Sequence, residues 1–150
     1  MSSEENLAQF KRLIEEAFFA GKLDVIDEVI ASDVEEHQWG VPPGANGPQR
    51  VRALVTEICA MLPDRSCRWI HLTADGDTVW AHFRASGVDS RGFAGRPPTG
   101  RPYEIDVVDV ARFADGKVVE HWGVPDRFAL LAQLGAIPAR GAAAQPPARA

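Results

Sequence analysis

Three side chains in this sequence could move protons from positions that one fold could bring together: Asp109 in "EIDVVDVARF", Glu120 in "KVVEHWGV" and His37 in "VEEHQWG". The first two lie on runs separated by "ADGK", whose Asp115-Gly116 pair is a strong two-residue hairpin signal. An ideal turn there sets Asp109 opposite residues 121 to 122 and Ala111 opposite Glu120. Side chains alternate along a strand, so Val107, Asp109 and Ala111 are expected to share one face with Val118, Glu120 and Trp122, while His121 points to the other face. Carboxylates so close on an apolar surface repel one another, and burial makes such a pair a proton donor and acceptor usable near neutrality. His37 suits proton transfer in the same range and falls where the chain must cross the mouth of a pocket. Trp39 and Trp122 would wall that pocket, with Val107 beside them. Each assignment has a plainer counterpart: two surface charges on a solvated strand, and a loop histidine satisfied by hydrogen bonds. His71 and His82 alternate with apolar neighbours and are read as structural or surface groups.

These side chains need a scaffold, and the periodicity supplies one. Leu7, Phe10, Leu13, Ile14, Ala17 and Phe18 recur at helical spacing, predicting a helix from Asn6 to about Ala20. After Gly21, Leu23, Val25, Ile26, Val29 and Ile30 predict a short second helix, and "EEHQWGVPPGANG" a turn-rich loop. Val51, Leu54, Val55, Ile58 and Leu62 mark a third helix ending at Pro63. Beyond it, "SCRWIHLTAD", "DTVWAHFRASGVD", "PYEIDVVDVARFAD" and "KVVEHWGV" are partly alternating and rich in β-branched or aromatic residues, which predicts four antiparallel strands. "PDRFALLAQLGAIP" closes the chain with a short helix. Helices first and hairpin-linked strands after them define an α+β fold, the helices gathered on one face of a curved sheet. The concave space between the layers is either packed solid or forms a pocket.

At 150 residues the chain is expected to be one domain, residues 1–138, followed by a flexible tail over residues 139–150, "RGAAAQPPARA" and the alanine before it. Hydrophobic content of 45% with 25% charged residues is ordinary globular composition, and a net charge of -5 gives no basic footprint for nucleic acid. No apolar run approaches membrane-spanning length, and "MSSEENLAQFKRL" lacks the pattern of an export signal, so a cytoplasmic protein is expected. Cys59 and Cys67 have no metal-ligand spacing and are read as free thiols. Dinucleotide, phosphate-loop, serine-elbow and metal-site motifs are missing from the sequence, which leaves action without cofactor or metal. "GFAGRPPTGR" is read as a rigid inter-strand loop, since its prolines remove the backbone donors that a phosphate cradle needs. The apolar outer sheet face, expected to carry Val108, Val110, Val119 and His121, predicts a homodimer.

The stretch "GRPPTGRPYEIDVVDVARFADGKVVEHWGVPDRFALLAQLG" resembles the SnoaL-like polyketide cyclase family, of the nuclear transport factor-like (cystatin-like) superfamily. Its "PPTGR" loop, "RFADGK" turn, "EHW" strand end and "LLAQLG" helix come in the family's order, and the likeness spans roughly residues 5–138. The resemblance implies a cone-shaped α+β barrel with an internal pocket, and a cofactor-independent intramolecular aldol condensation closing a ring of an aromatic polyketide. Matched without gaps at the "DGK" turn, the family's acid-base aspartate falls at Gly123, its supporting histidine at Asp109 and a nearby glutamine at Val107. The acidic groups of this chain are therefore expected to be relocated, with Asp109 as base and Glu120 and His37 as partners. A non-catalytic binding or dimerisation module, and water addition of the epoxide-hydrolase type, stay open as alternatives.

Overall fold

The computed structural model describes residues 2–38 and 47–138. Helix α1 (Ser3–Arg12) starts at a capping box, in which Ser2 Oγ accepts from the Glu5 N–H and the Glu5 carboxylate accepts from the Ser2 N–H at 2.7 Å. It then widens into a π-helical segment, Leu13–Phe19, where the sequence predicts continued α-helix. Bonding over five residues rather than four brings Ile14 and Phe19 to one side, with Phe18 beside them, facing the sheet. Helix α2 (Asp24–Val29) ends one residue before the last apolar position of the predicted helix, because Ile30 is already extended and begins strand β1 (Ile30–Glu36). Glu35 and Glu36, expected in a loop, belong to that strand. Trp39 and residues 40–46 of the predicted loop, and the tail over 139–150, lie outside the described residues.

Helix α3 (Pro48–Met61) opens with proline in its first turn, where the missing N–H has no helical partner to lose. Strands β2 (Ser66–Asp75), β3 (Thr78–Val88), β4 (Pro102–Ala114) and β5 (Lys117–Pro125) coincide closely with the four predicted runs and pair antiparallel in sequence. Strand β1 adds to β5 in parallel, giving a five-stranded sheet in the order β1-β5-β4-β3-β2. The sheet is open rather than closed into a barrel, and the helices cover its concave face. Phe10, Ile14, Ile26, Val29 and Val55 on the helices meet Val79, Phe83, Ala111, Phe113 and Val118 on the strands, all buried. Each fully buried large side chain in such a layer contributes about 1.5–3 kcal/mol. Helix α4 (Arg127–Gln133), capped by Asp126 Oδ1 accepting from the Ala129 N–H at 2.8 Å, closes the end near β4.

The loop between β3 and β4 is organised from within. Asp89, fully buried, accepts hydrogen bonds from the Gly92 N–H, the Thr99 N–H and the Thr99 hydroxyl at 2.7–2.9 Å. Burial pushes its carboxyl upward, but the Thr99 and Gly92 bonds outweigh that and hold it below the usual aspartate range. Among the described residues no helix is long and apolar enough to cross a membrane.

Candidate active site

Between the helices and the concave sheet face lies a cavity of about 430 Å³, walled mostly by apolar side chains. The π-segment contributes Phe18 and Phe19, α3 contributes Leu54 and Ile58, and the inner positions of β4 contribute Tyr103, Ile105, Val107 and Asp109. Asp109 is 5% exposed, so a carboxylate stands at the edge of an apolar space. Val107 lines the cavity beside it.

The partners of Asp109 differ from those expected, and one residue accounts for the change. The hairpin begins in ideal register, with Ala114 opposite Lys117 and Phe113 opposite Val118. The next pair is Arg112 with Glu120, then Ala111 with His121, so Val119 is an extra residue forming a bulge. Beyond the bulge every side chain of β5 points opposite to the ideal-turn expectation. Glu120 and Trp122 therefore lie on the outer face, and His121 and Gly123 turn inward, with Gly123 directly opposite Asp109.

His121, expected to face away, is instead buried in an ionic chain. Its Nδ1 lies 2.9 Å and 3.0 Å from the two carboxylate oxygens of Glu36, and its Nε2 lies 3.8 Å from Asp109 Oδ2. All three side chains are at most 7% exposed. Burial by itself would lower the imidazole, but Asp109 and Glu36 together override it and raise the pKa to about 10. His121 is thus an imidazolium across the neutral range, with one N–H committed to Glu36 and the other directed at Asp109. The parallel pairing of Glu36 with His121 places the Glu36 carboxylate, and the His37 N–H donates to the His121 carbonyl at 2.9 Å.

Gln38, just past β1, completes the inner arrangement. Its N–H donates to Glu36 Oε1 at 2.8 Å, and its side chain lines the cavity. The carboxamide lies against Gly123 so closely that a Cβ at residue 123 would stand 2.3 Å from Gln38 Oε1 and 3.1 Å from the His121 ring. The space beside Gly123 is thus occupied by an uncharged amide.

His37 and Glu120 do come together, but on the outer face and away from the cavity. His37 Nε2 lies 3.1 Å from Glu120 Oε1, and its ring stacks on Trp122 at 4.7 Å between centroids. Arg112 donates to Glu120 Oε2 from Nε at 3.0 Å, with Nη2 2.9 Å from the same oxygen, and Arg112 foremost, then His37, lowers the Glu120 carboxyl below its ordinary value. Glu35, His37 and Glu120 bring ligand atoms within 4.8 Å of one another, yet the Arg112 guanidinium on Glu120 opposes a cation there. Trp122 is 37% exposed and stacks on this cluster instead of walling the pocket. Glu36 and His121 escape sequence reasoning because their meeting depends on a parallel contact 85 residues apart in the chain. Only the grouping of Glu36 with "HQW" offers a signal.

The chain belongs to the SnoaL-like polyketide cyclase family, whose model matches residues 8–134. Among individual proteins it is 29% identical over 132 residues to the aklanonic acid methyl ester cyclase of Streptomyces peucetius, covering 83% of this chain and 87% of that one. The nogalonic acid methyl ester cyclase of Streptomyces nogalater is 28% identical over 120 residues, covering 79% and 90%. The structure of IdmH from Streptomyces antibioticus, assigned to the polyketide cyclases, superposes with a TM-score of 0.75 at 32% identity, over 90% of this chain and 99% of that one. An LEH-like epoxide hydrolase from M. tuberculosis, at 14% identity and a TM-score of 0.67, shares the fold alone.

Proposed function

We propose that this protein closes a ring of a hydrophobic, polyketide-like substrate by cofactor-independent intramolecular aldol condensation, with Asp109 as the base. The observation that carries this reading is a nearly buried carboxylate at an apolar cavity, backed by a buried imidazolium that is itself anchored by Glu36. Asp109 takes the proton from a carbon next to a carbonyl, and the electron pair moves onto the carbonyl oxygen as an enolate. The Gln38 amide, on the cavity wall, offers N–H donors to that oxygen. The enolate carbon then attacks a second carbonyl of the same molecule, forming the carbon–carbon bond. The resulting alkoxide recovers the proton from Asp109, so atoms balance without an added reactant. Glu36 and His121 are positioning residues: their charge chain fixes where the Asp109 carboxylate stands.

A second reading, a ligand-binding module without turnover, is favoured by one observation, the amide of Gln38 lying where a side chain at Gly123 would stand. Aklanonic and nogalonic acid methyl esters, the compounds in the relatives' names, discriminate the two. Ring closure conserves mass, so product is followed by chromatography and visible absorbance. The cyclase reading expects conversion by the native chain, and Asp109→Asn lowering kcat by about 10²- to 10⁴-fold while folding and ligand affinity persist. Equal kcat in Asp109→Asn excludes Asp109 as the base, and binding of both esters without conversion supports the binding module.

A further inference from the structure

The sheet carries a second polar cluster on its outer face, away from the cavity. On β2 the extra residue Ile70 forms a bulge: Trp69 pairs with Phe83, and the next pair is His71 with His82. Trp69 and Phe83 meet edge to face against the core, with ring centroids 5.3 Å apart. The bulge turns the following pair outward together, so two imidazoles stand directly opposite each other on neighbouring strands. His71 and His82, read from the sequence as separate structural or surface groups, meet with their Nδ1 atoms 3.3 Å apart. Their ring centroids are 5.5 Å apart and their planes 24° from parallel, so the two Nδ1 atoms are the facing edges of the rings.

The far side of His82 fixes which of its nitrogens is free. Nε2 lies 2.9 Å from Asp106 Oδ1, and Arg84 donates to the same oxygen from Nε at 3.1 Å. His82 foremost, then Arg84, holds the Asp106 carboxyl below its ordinary range, so it is an acceptor at neutral pH. Neutral His82 therefore keeps its proton on Nε2 and presents the Nδ1 lone pair to His71. A carboxylate behind an imidazole is the arrangement that sets the tautomer and raises the basicity of a metal-ligating histidine. The Arg84 guanidinium lies on that far side, where Asp106 and Glu104 together offset its charge. At Glu120, by contrast, a guanidinium occupies the oxygen of a would-be ligand.

Two nitrogens each about 2.05 Å from one tetrahedral ion stand about 3.3–3.4 Å apart, which is the separation of this pair. The ion sits about 1.2 Å off the line between them, within reach of a turn of the exposed His71 ring. His71 moves its proton from Nδ1 to Nε2 as the ion enters, so none is lost. We propose that His71 and His82 form a binding site for a borderline divalent transition ion, zinc foremost, with Asp106 as a positioning residue and water in the remaining coordination positions. The ion ties β2, the last strand in the sheet order, to β3. Imidazole nitrogen selects such ions over magnesium and calcium, which take oxygen ligands. The site stands on the opposite face of the sheet from Asp109, so it does not rest on the cyclase reading.

Zinc alone is the probe, because it does not oxidise the free thiols of Cys59 and Cys67. Its ligands must be deprotonated, so the full chain is titrated calorimetrically at about pH 7.5. One ion per chain is expected. His71→Ala and His82→Ala are each expected to weaken zinc by at least about tenfold, and Asp106→Asn, which leaves both ligands in place, by about tenfold. Both histidines face outward, and Tm checks that the variants fold. His37→Ala, which breaks up the group formed with Glu35 and Glu120, is expected to leave the affinity unchanged. Nitrogen-15 shifts of the imidazoles are expected to move at Nδ1 of His71 and His82 on adding zinc. No binding by the native chain, unchanged zinc affinity in either His71→Ala or His82→Ala, loss in His37→Ala instead, or an equal response to magnesium overturns the site. None of these measurements needs turnover.

Discussion

Burial works against the charge on His121, and two carboxylates overcome it; the balance makes stability depend on pH in a defined direction. The folded pKa of about 10 lies above the ordinary 6.5. The folded state therefore binds the proton more tightly than the unfolded chain. The resulting stabilisation is complete below about pH 6.5, declines as pH rises, and is gone above about pH 10. Urea unfolding at pH 6, 8 and 10 is expected to show this fall in the native chain. In His121→Asn the contribution from this group disappears, so the decline is shallower. The variant is also less stable at pH 6, by about 3–5 kcal/mol, because Glu36 and Asp109 remain buried without their cation. Parallel declines in the two proteins would mean that His121 is not the titrating group.

At the scale of elements, the site depends on where two strands end relative to each other. β5 reaches the cavity with His121 and Gly123 inward only because Val119 is absorbed in a bulge. β1 runs parallel to β5 and delivers Gln38 against Gly123. Gly123 is not in the left-handed region that favours glycine, so contact rather than backbone strain limits what can replace it. The colliding atom is the end of a flexible side chain, which can swing aside. Gly123→Ala is accordingly expected to cost about 1 kcal/mol in the native background and less in Gln38→Ala, where only the 3.1 Å approach to the His121 ring remains, a coupling that a double-mutant cycle reads directly. Equal costs in both backgrounds would show that the amide does not hold this space.

Across the whole molecule, helices cover one sheet face and, among the described residues, leave the other uncovered. On the uncovered face Trp80 is 51% exposed, Val108 44% and Val124 65%, with Trp122 on the adjoining strand. These positions neighbour one another through the pairing of β3, β4 and β5, which makes them one patch. We propose that a second copy of the chain covers it. Sedimentation at micromolar concentration is expected to give a dimer, and the Trp80→Glu, Val124→Glu double variant a monomer with the cavity intact. A native monomer at that concentration would remove the proposal.

The sequence determined more of the scaffold than of the site. Helical periodicity located α1, α2 and α3, and the turn residues delimited β2 to β5 nearly to the residue, because those signals are local: a stripe, a cap, an Asp-Gly turn. That Asp109 and Val107 share one face was legible by alternation, while the structure decides that this face is the inner one. Strand β1 was not, since its burial comes from a parallel partner distant in sequence and leaves no regular alternation in "IASDVEE". The resemblance identified Gly123 as the place of a missing carboxylate, but not what lies beside it. Glu120 and His37 were expected as partners of Asp109 in the pocket and instead meet each other on the outer face, because alternation carries parity along a strand only until a bulge breaks it. Tertiary structure alone decided that His121, and not Glu120, stands behind Asp109. One extra residue at Val119 reverses every side chain after it, and a single strand's sequence does not reveal where the partner strand fails to match it.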